Sequence, residues 1–273
     1  VPAADPPPDR SHRQASGRGA LGDAAPGVDL IATLLLSAAA VLAAAFVKGA
    51  IGFGFPTLST PLLAMVLDVK SAVAVLILPN IVMDGLQAAR TPGLLATLRR
   101  LGPLIACGMV GTVIGTRALV GLSSRAAVGV LGGFVLAFVV LNATPVKLQV
   151  PPRWERWVSP PAGLLAGIVG GMTNVPGTPL VIYFYALSMP KAEFVRSVAV
   201  SFVIYKLTQL AAVVWFGLLT PALLGWSLAI TGLALLTFRL GLAVQDRFDQ
   251  RTFSRAVLVF LAALGTWLIT RSL

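Results

Sequence analysis

Asn80, Asp84 and Gln87 stand at i, i+4 and i+7, the spacing that puts three polar side chains on one face of a helix. They lie in an apolar run over about 71–89, and of the ten acidic residues only Asp84 sits deep inside such a run. A carboxylate within a bilayer is costly unless it is neutral, paired or facing water, so Asp84 is a candidate for carrying a coupling proton or for pairing with a cation. The plainer alternative for this face is interhelical hydrogen bonding, or a place near the span's end beside Arg90. In the second half, sliding Val73-Ala74-Val75 onto Val198-Ala199-Val200, a separation of 125, sets Asp84 opposite Gln209, with Lys206 three residues before it. A buried lysine attracts an anion or pairs with Asp84; in a tilted span its stem can also snorkel.

A second set of polar residues falls in a repeat. The stretch from Gly49 to Pro61 and the stretch from Gly167 to Pro179 match without a gap at a separation of 118, pairing Gly49 with Gly167, Gly52 with Gly170, Thr60 with Thr178 and Pro61 with Pro179. Each copy interrupts an apolar run with glycine, proline and small hydroxyl residues. That pattern unwinds a membrane helix at depth, and paired interruptions in two halves point to a transporter binding site. Pro56 and Pro176 suit the first turn of a helix, so the free N–H groups and positive dipole ends there face the broken region and suit an anion. Thr57, Ser59, Thr60, Thr173, Asn174 and Thr178 add neutral donors. Gly52, Gly54, Gly170, Gly171 and Gly177 let a ligand approach the backbone. Tight helix packing through small residues accounts for Gly49, Gly52, Gly167 and Gly170 equally well, but not for the Thr, Asn and Pro cluster.

The elements that position these residues are membrane helices. Of 273 residues 57% are hydrophobic and 11% charged, and the mean hydropathy of +0.88 lies far outside the range of soluble domains. Apolar segments run over about 30–48, 56–67, 71–89, 101–119 and 126–145, and the series repeats over about 158–170, 176–189, 195–216, 221–240 and 253–270. Most approach the length that spans a bilayer; the second of each series is short enough to be re-entrant. The organisation expected is a disordered tail over 1–29, a first repeat over 30–146, a cytoplasmic linker over 147–157 and a second repeat over 158–273.

Basic residues set the orientation. One threading places Arg90, Arg99 and Arg100, Lys147, Arg153 and Arg156, Lys191 and Arg196, and Arg239, Arg247, Arg251 and Arg255 inside. It leaves Lys70, Arg117, Arg125 and Arg271 outside, in accord with the positive-inside rule. Five elements per half is an odd number, so the repeats are inverted. The fold class expected is therefore an all-α polytopic membrane protein of two inverted repeats, each with a broken helix pair and three spanning helices. Trp154 and Trp157 beside Arg153 and Arg156 fit an interface anchor.

Gly49-x-x-Gly52-x-Gly54-x-Pro56 and Gly167-x-x-Gly170-Gly171-x-x-Asn174-x-Pro176-Gly177-x-Pro179-Leu180 resemble the paired signatures of the TauE/SafE sulfite exporter family of bacterial membrane permeases, over about residues 30–273. The resemblance implies a secondary transporter of the bacterial inner membrane for sulfur-containing anions such as sulfite and sulfonates. Where many relatives carry Thr-Asn or Thr-Thr followed by Lys, this chain has Leu78-Pro79-Asn80 and Ile204-Tyr205-Lys206.

Other classes fit less well. A membrane enzyme needs a nucleophile with its base, a metal cluster or paired carboxylates, and the spans offer no histidine and one aspartate. A passive anion channel would line a continuous pore instead of clustering polar residues at two breaks. Cys107 is the single cysteine, so neither an intramolecular disulfide nor a cysteine-based metal centre is expected. No cofactor, metal or nucleic acid is expected either, because the basic residues sit in short loops between apolar runs. The partners expected are a small anion, lipid and a coupling proton, with homo-oligomer formation left open.

Overall fold

The computed structural model describes residues 30–90, 92–143, 149–175, 177–244 and 250–272. The tail over 1–29, Lys147, Pro176 and Arg247 lie outside the described residues, and so do the side-chain placements of Thr178, Arg251 and Arg255. The described chain is all helical: α1 (Leu30–Ile51), α2 (Phe55–Leu63), α3 (Val69–Ala89), α4 (Leu94–Arg100), α5 (Gly102–Gly121), α6 (Ser124–Ala143), α7 (Pro152–Thr173), α8 (Gly177–Ala186), α9 (Lys191–Trp215), α10 (Pro221–Val244) and α11 (Gln250–Ser272). Six of these, α1, α3, α5, α6, α9 and α10, contain windows long and apolar enough to cross a membrane. Leu35, Leu36, Leu165, Leu228, Leu236 and Val259 are more than half exposed, an apolar exterior that calls for lipid rather than water.

The short second element of each series is present. After α1 the chain turns through Gly52 and Gly54, both at positive φ (99° and 102°), where a side chain is strained and glycine is not. After α7 the equivalent turn uses Asn174 at φ 67°, the residue that tolerates the left-handed region next best.

Two expectations are corrected. Residues 152–157 are the first turns of α7 and not a linker. Pro152 fits the first helical position and Glu155 the first turn, and Pro160 and Pro161 lie inside the helix. The second correction is α4, a short helix after the left-handed Gly93 that has no counterpart between α9 and α10.

The register between the halves also shifts. The helix ends Ile51 and Thr173, the starts Phe55 and Gly177, and the starts Val69 and Lys191 are each 122 residues apart, four more than the gap-free sequence match. Packing joins equivalent helices, with α1 and α7 in this register and α5 and α10 offset by 126. A side chain on Gly49 would collide with the carbonyl of Phe238, and one on Gly171 with that of Thr112; Gly241 abuts Phe46 as Gly115 abuts Ile168. The sequence match slips because Gly163, Gly167 and Gly171 recur every four residues and all face α5, so the pattern matches itself after one helical turn.

Elements pack largely across the halves. The most extensive seams are α5 with α7 and α1 with α10, followed by α6 with α11 and α3 with α9. Tyr205 Oη donates to Leu104 O at 3.0 Å between α9 and α5, and Ser227 Oγ donates to Val75 O at 2.6 Å between α10 and α3.

At one end of the bundle, Arg100 donates from Nε and Nη2 to Glu155 at 2.7 and 2.9 Å and from Nη1 to Glu193 at 2.5 Å. The bonds to Glu155 hold the Arg100 guanidinium above its ordinary pKa range. Arg196 joins this end by donating to Thr97 Oγ1 at 2.7 Å and Pro92 O at 2.6 Å. The opposite end gathers Lys70, which donates to Val120 O at 2.9 Å, and Arg271, which donates to Met65 O at 3.3 Å. Helix α3 runs from the second group to the first.

Candidate functional site

Where the breaks meet α3 and α9, the interior is polar and dry. Thr57, Ser59, Thr60, Asn80, Asp84, Gln87, Thr173, Asn174, Lys206 and Gln209 are all buried, and with them Lys48. The sequence reading passed over Lys48, although it is the one charge in the run 30–51 and directly precedes the first break. Its Nζ lies 2.5 Å from Asp84 Oδ1, an ion pair with both side chains essentially inaccessible, and also 5.9 Å from the centre of the Phe202 ring. Asp84 thus stands in the interior, one and a half turns before Arg90, and is held by a partner on another helix.

Among the described residues, no carboxylate pairs with Lys206. It donates to Asn174 O at 3.1 Å, to Asn174 Oδ1 and to Gln209 Oε1 at 2.7 Å, three neutral acceptors around an ammonium. In the 122 register Lys206 is the counterpart of Asp84 and Gln209 that of Gln87, which corrects the pairing of Asp84 with Gln209. The two glutamines do the same work. Gln87 Nε2 donates to Gly52 O at 2.7 Å, and Gln209 Nε2 donates to Gly170 O and Gly171 O, both at 3.2 Å. Each glutamine serves carbonyls at its break, where Gly170 O accepts from Asn174 N at 2.8 Å as well.

Asn174 ties the two breaks together: its Nδ2 donates to Thr60 Oγ1 at 3.2 Å while its Oδ1 faces Lys206. Thr60, Asn174, Lys206 and Gln209 therefore form one connected cluster, with Gly170 and Gly171 as carbonyl acceptors at its edge. Other predicted residues are turned inward on their own helices. Ser59 Oγ donates to Phe55 O at 2.7 Å, Thr173 Oγ1 to Val169 O at 2.7 Å and Asn80 Nδ2 to Leu76 O at 2.8 Å. Thr57 is buried on α2, Gly54 precedes that helix in the left-handed region, and Gly177 begins α8. Gly171 also serves the α5–α7 seam.

Among the described residues, the buried charges are Lys48, Asp84 and Lys206. With each group in its ordinary ionised form, two positive charges against one negative leave a surplus of one positive charge in an interior where an unpaired charge is expensive.

A family model described as sulfite exporter TauE/SafE matches residues 36–268. Comparisons with curated proteins and with solved structures find no match. With the match covering both breaks, α3, α9 and the charged cluster between them, the chain belongs to the TauE/SafE sulfite exporter family of membrane transporters.

Proposed function

We propose that this protein is a secondary transporter that moves a small anion of the sulfite or organosulfur class across the bacterial inner membrane by alternating access, and that the anion binds beside Lys206 between the two breaks. The surplus positive charge carries the reading. Lys206 is solvated by amide oxygens alone, and a bound anion supplies the counter-charge that these neutral groups do not. Asn174 and Thr60 complete its contacts together with the N–H groups that open α2 and α8, while Ser59 and Thr173 stay bonded to their own helices. The seams support an arrangement of two inverted halves: α3 meets its counterpart α9, α6 meets α11, and α1 with α10 mirrors α7 with α5, the pattern that a two-fold axis in the membrane plane produces.

The test is flux into proteoliposomes across a panel of sulfur oxyanions and carboxylates, with and without a pH gradient. In the same assay Asn174→Gly keeps the left-handed turn but removes the amide. Losing one hydrogen bond to a charged group costs about 1.5–3 kcal/mol, so the half-saturating concentration is expected to rise roughly ten-fold or more. Unaltered saturation in this variant would make the breaks packing or hinge elements.

Orientation is tested separately. The clustering of Arg100, Glu155, Glu193 and Arg196 at one end, and of Lys70 and Arg271 at the other, supports a cytoplasmic location for the first group with both termini outside. Single-cysteine labelling from each side on a Cys107→Ser background is expected to reach positions near Arg99, Arg153 and Arg251 from the cytoplasm alone. External labelling near Arg251 would rule out this threading.

A further inference from the structure

Asn80, Asp84 and Gln87 each have one polar atom engaged and one oxygen left over. Asn80 Nδ2 serves Leu76 O, Asp84 Oδ1 serves Lys48, and Gln87 Nε2 serves Gly52 O. Asn80 Oδ1, Asp84 Oδ2 and Gln87 Oε1 are buried with no donor reaching them. Three acceptors on one helix face with no donor is a costly arrangement. A proton on Asp84 Oδ2 turns that oxygen from an unmet acceptor into a donor on the helix face that carries the two unmet amide oxygens.

The same proton changes the charge of the site. With Asp84 ionised, Lys48, Asp84 and Lys206 sum to one positive charge; with Asp84 protonated they sum to two. We propose that protonation of Asp84 selects the valence of the bound anion: the added positive charge strengthens binding of a dianion roughly twice as much, in free energy, as that of a monoanion, so the protonated site favours a dianion that enters together with one proton. The inference rests on the anion site at Lys206 and adds to it the class of ligand and the coupling. The charged groups facing Asp84 are Lys48 from α1 and Lys206 from α9. The other helices packed on α3, namely α2, α6 and α10, contribute no buried charge among the described residues.

The signature is a pair of unequal gains. Sulfate stays a dianion and methanesulfonate a monoanion from about pH 5.5 to pH 8. Calorimetric titration of the full chain in detergent is expected to show both anions bind more tightly as pH falls, by up to about ten-fold per pH unit for one linked proton, with the larger total gain for sulfate. Asp84→Asn fixes the doubly positive site, so both anions bind tightly with flat pH profiles and sulfate is favoured. Lys48→Met/Asp84→Leu fixes the singly positive site without stranding either partner, and is expected to bind methanesulfonate with a flat profile.

An equal gain for sulfate and methanesulfonate as pH falls would overturn the proposal. A pH slope that persists in Asp84→Asn or in the double variant would overturn it as well. Binding of both anions with flat profiles in the wild type would overturn valence selection while leaving the anion site standing, whereas binding of neither would overturn both.

Discussion

Lys48→Met is expected to destabilise the protein by about 3–5 kcal/mol, the cost of leaving a buried charge without its partner. The pair it breaks is 2.5 Å long and has no access to solvent on either side, so water cannot replace the lost ammonium. Surface ion pairs such as Arg100 with Glu193, where the side chains are 39% and 28% exposed, contribute far less. The control is Lys48→Met/Asp84→Leu, which removes both charges and fills the space with apolar groups. Its stability is expected to return close to that of the wild type, because a buried pair replaced whole by hydrophobic residues is often neutral or better. Thermal unfolding in detergent reads both changes. Equal losses in the single and double variants would show that the helix junction fails through lost packing and not through an unpaired carboxylate.

How much of this was legible in the sequence follows from what each signal encodes. Apolar segments and their Gly/Pro interruptions mark α1, α2, α7 and α8 because no soluble element needs glycine and proline inside such a run, and Asn174 and Asp84 stood out for the same reason. Register was harder. The four-residue spacing of Gly163, Gly167 and Gly171 serves the seam with α5 and makes the pattern self-similar after one turn, so a gap-free match is not the structural one. Only helix ends and seam partners separate the two registers, and at a separation of 122 the position equivalent to Asp84 is Lys206 instead of Gln209. Lys48 was visible as a lone cation but its partner was not, because contact between residues 36 apart depends on how α1 crosses α3. Helix α4 escaped because a short helix bearing Arg99 and Arg100 at its end has the composition of a cytoplasmic loop.

Lys206→Gln should cost transport most. The amide keeps a donor toward Asn174 and Gln209, so the acceptors that surround Lys206 are not all stranded and the fold is expected to survive with little change in unfolding temperature. What disappears is the surplus charge: Lys48 and Asp84 then cancel and the interior is neutral. Removing one partner of a buried charge pair costs about 3–5 kcal/mol, which amounts to a loss of roughly a hundred-fold to a few thousand-fold in anion affinity. Lys206→Arg separates the two properties of this side chain, since it keeps the charge but spreads it over a planar fork that does not fit three acceptors arranged around a point. Flux in proteoliposomes is therefore expected to be absent in Lys206→Gln and weakened in Lys206→Arg, with direct binding measurements following the same order. If Lys206→Gln transports as well as the wild type, the lysine is a structural brace of the second break, and the anion must be sought against the dipole ends of α2 and α8 alone.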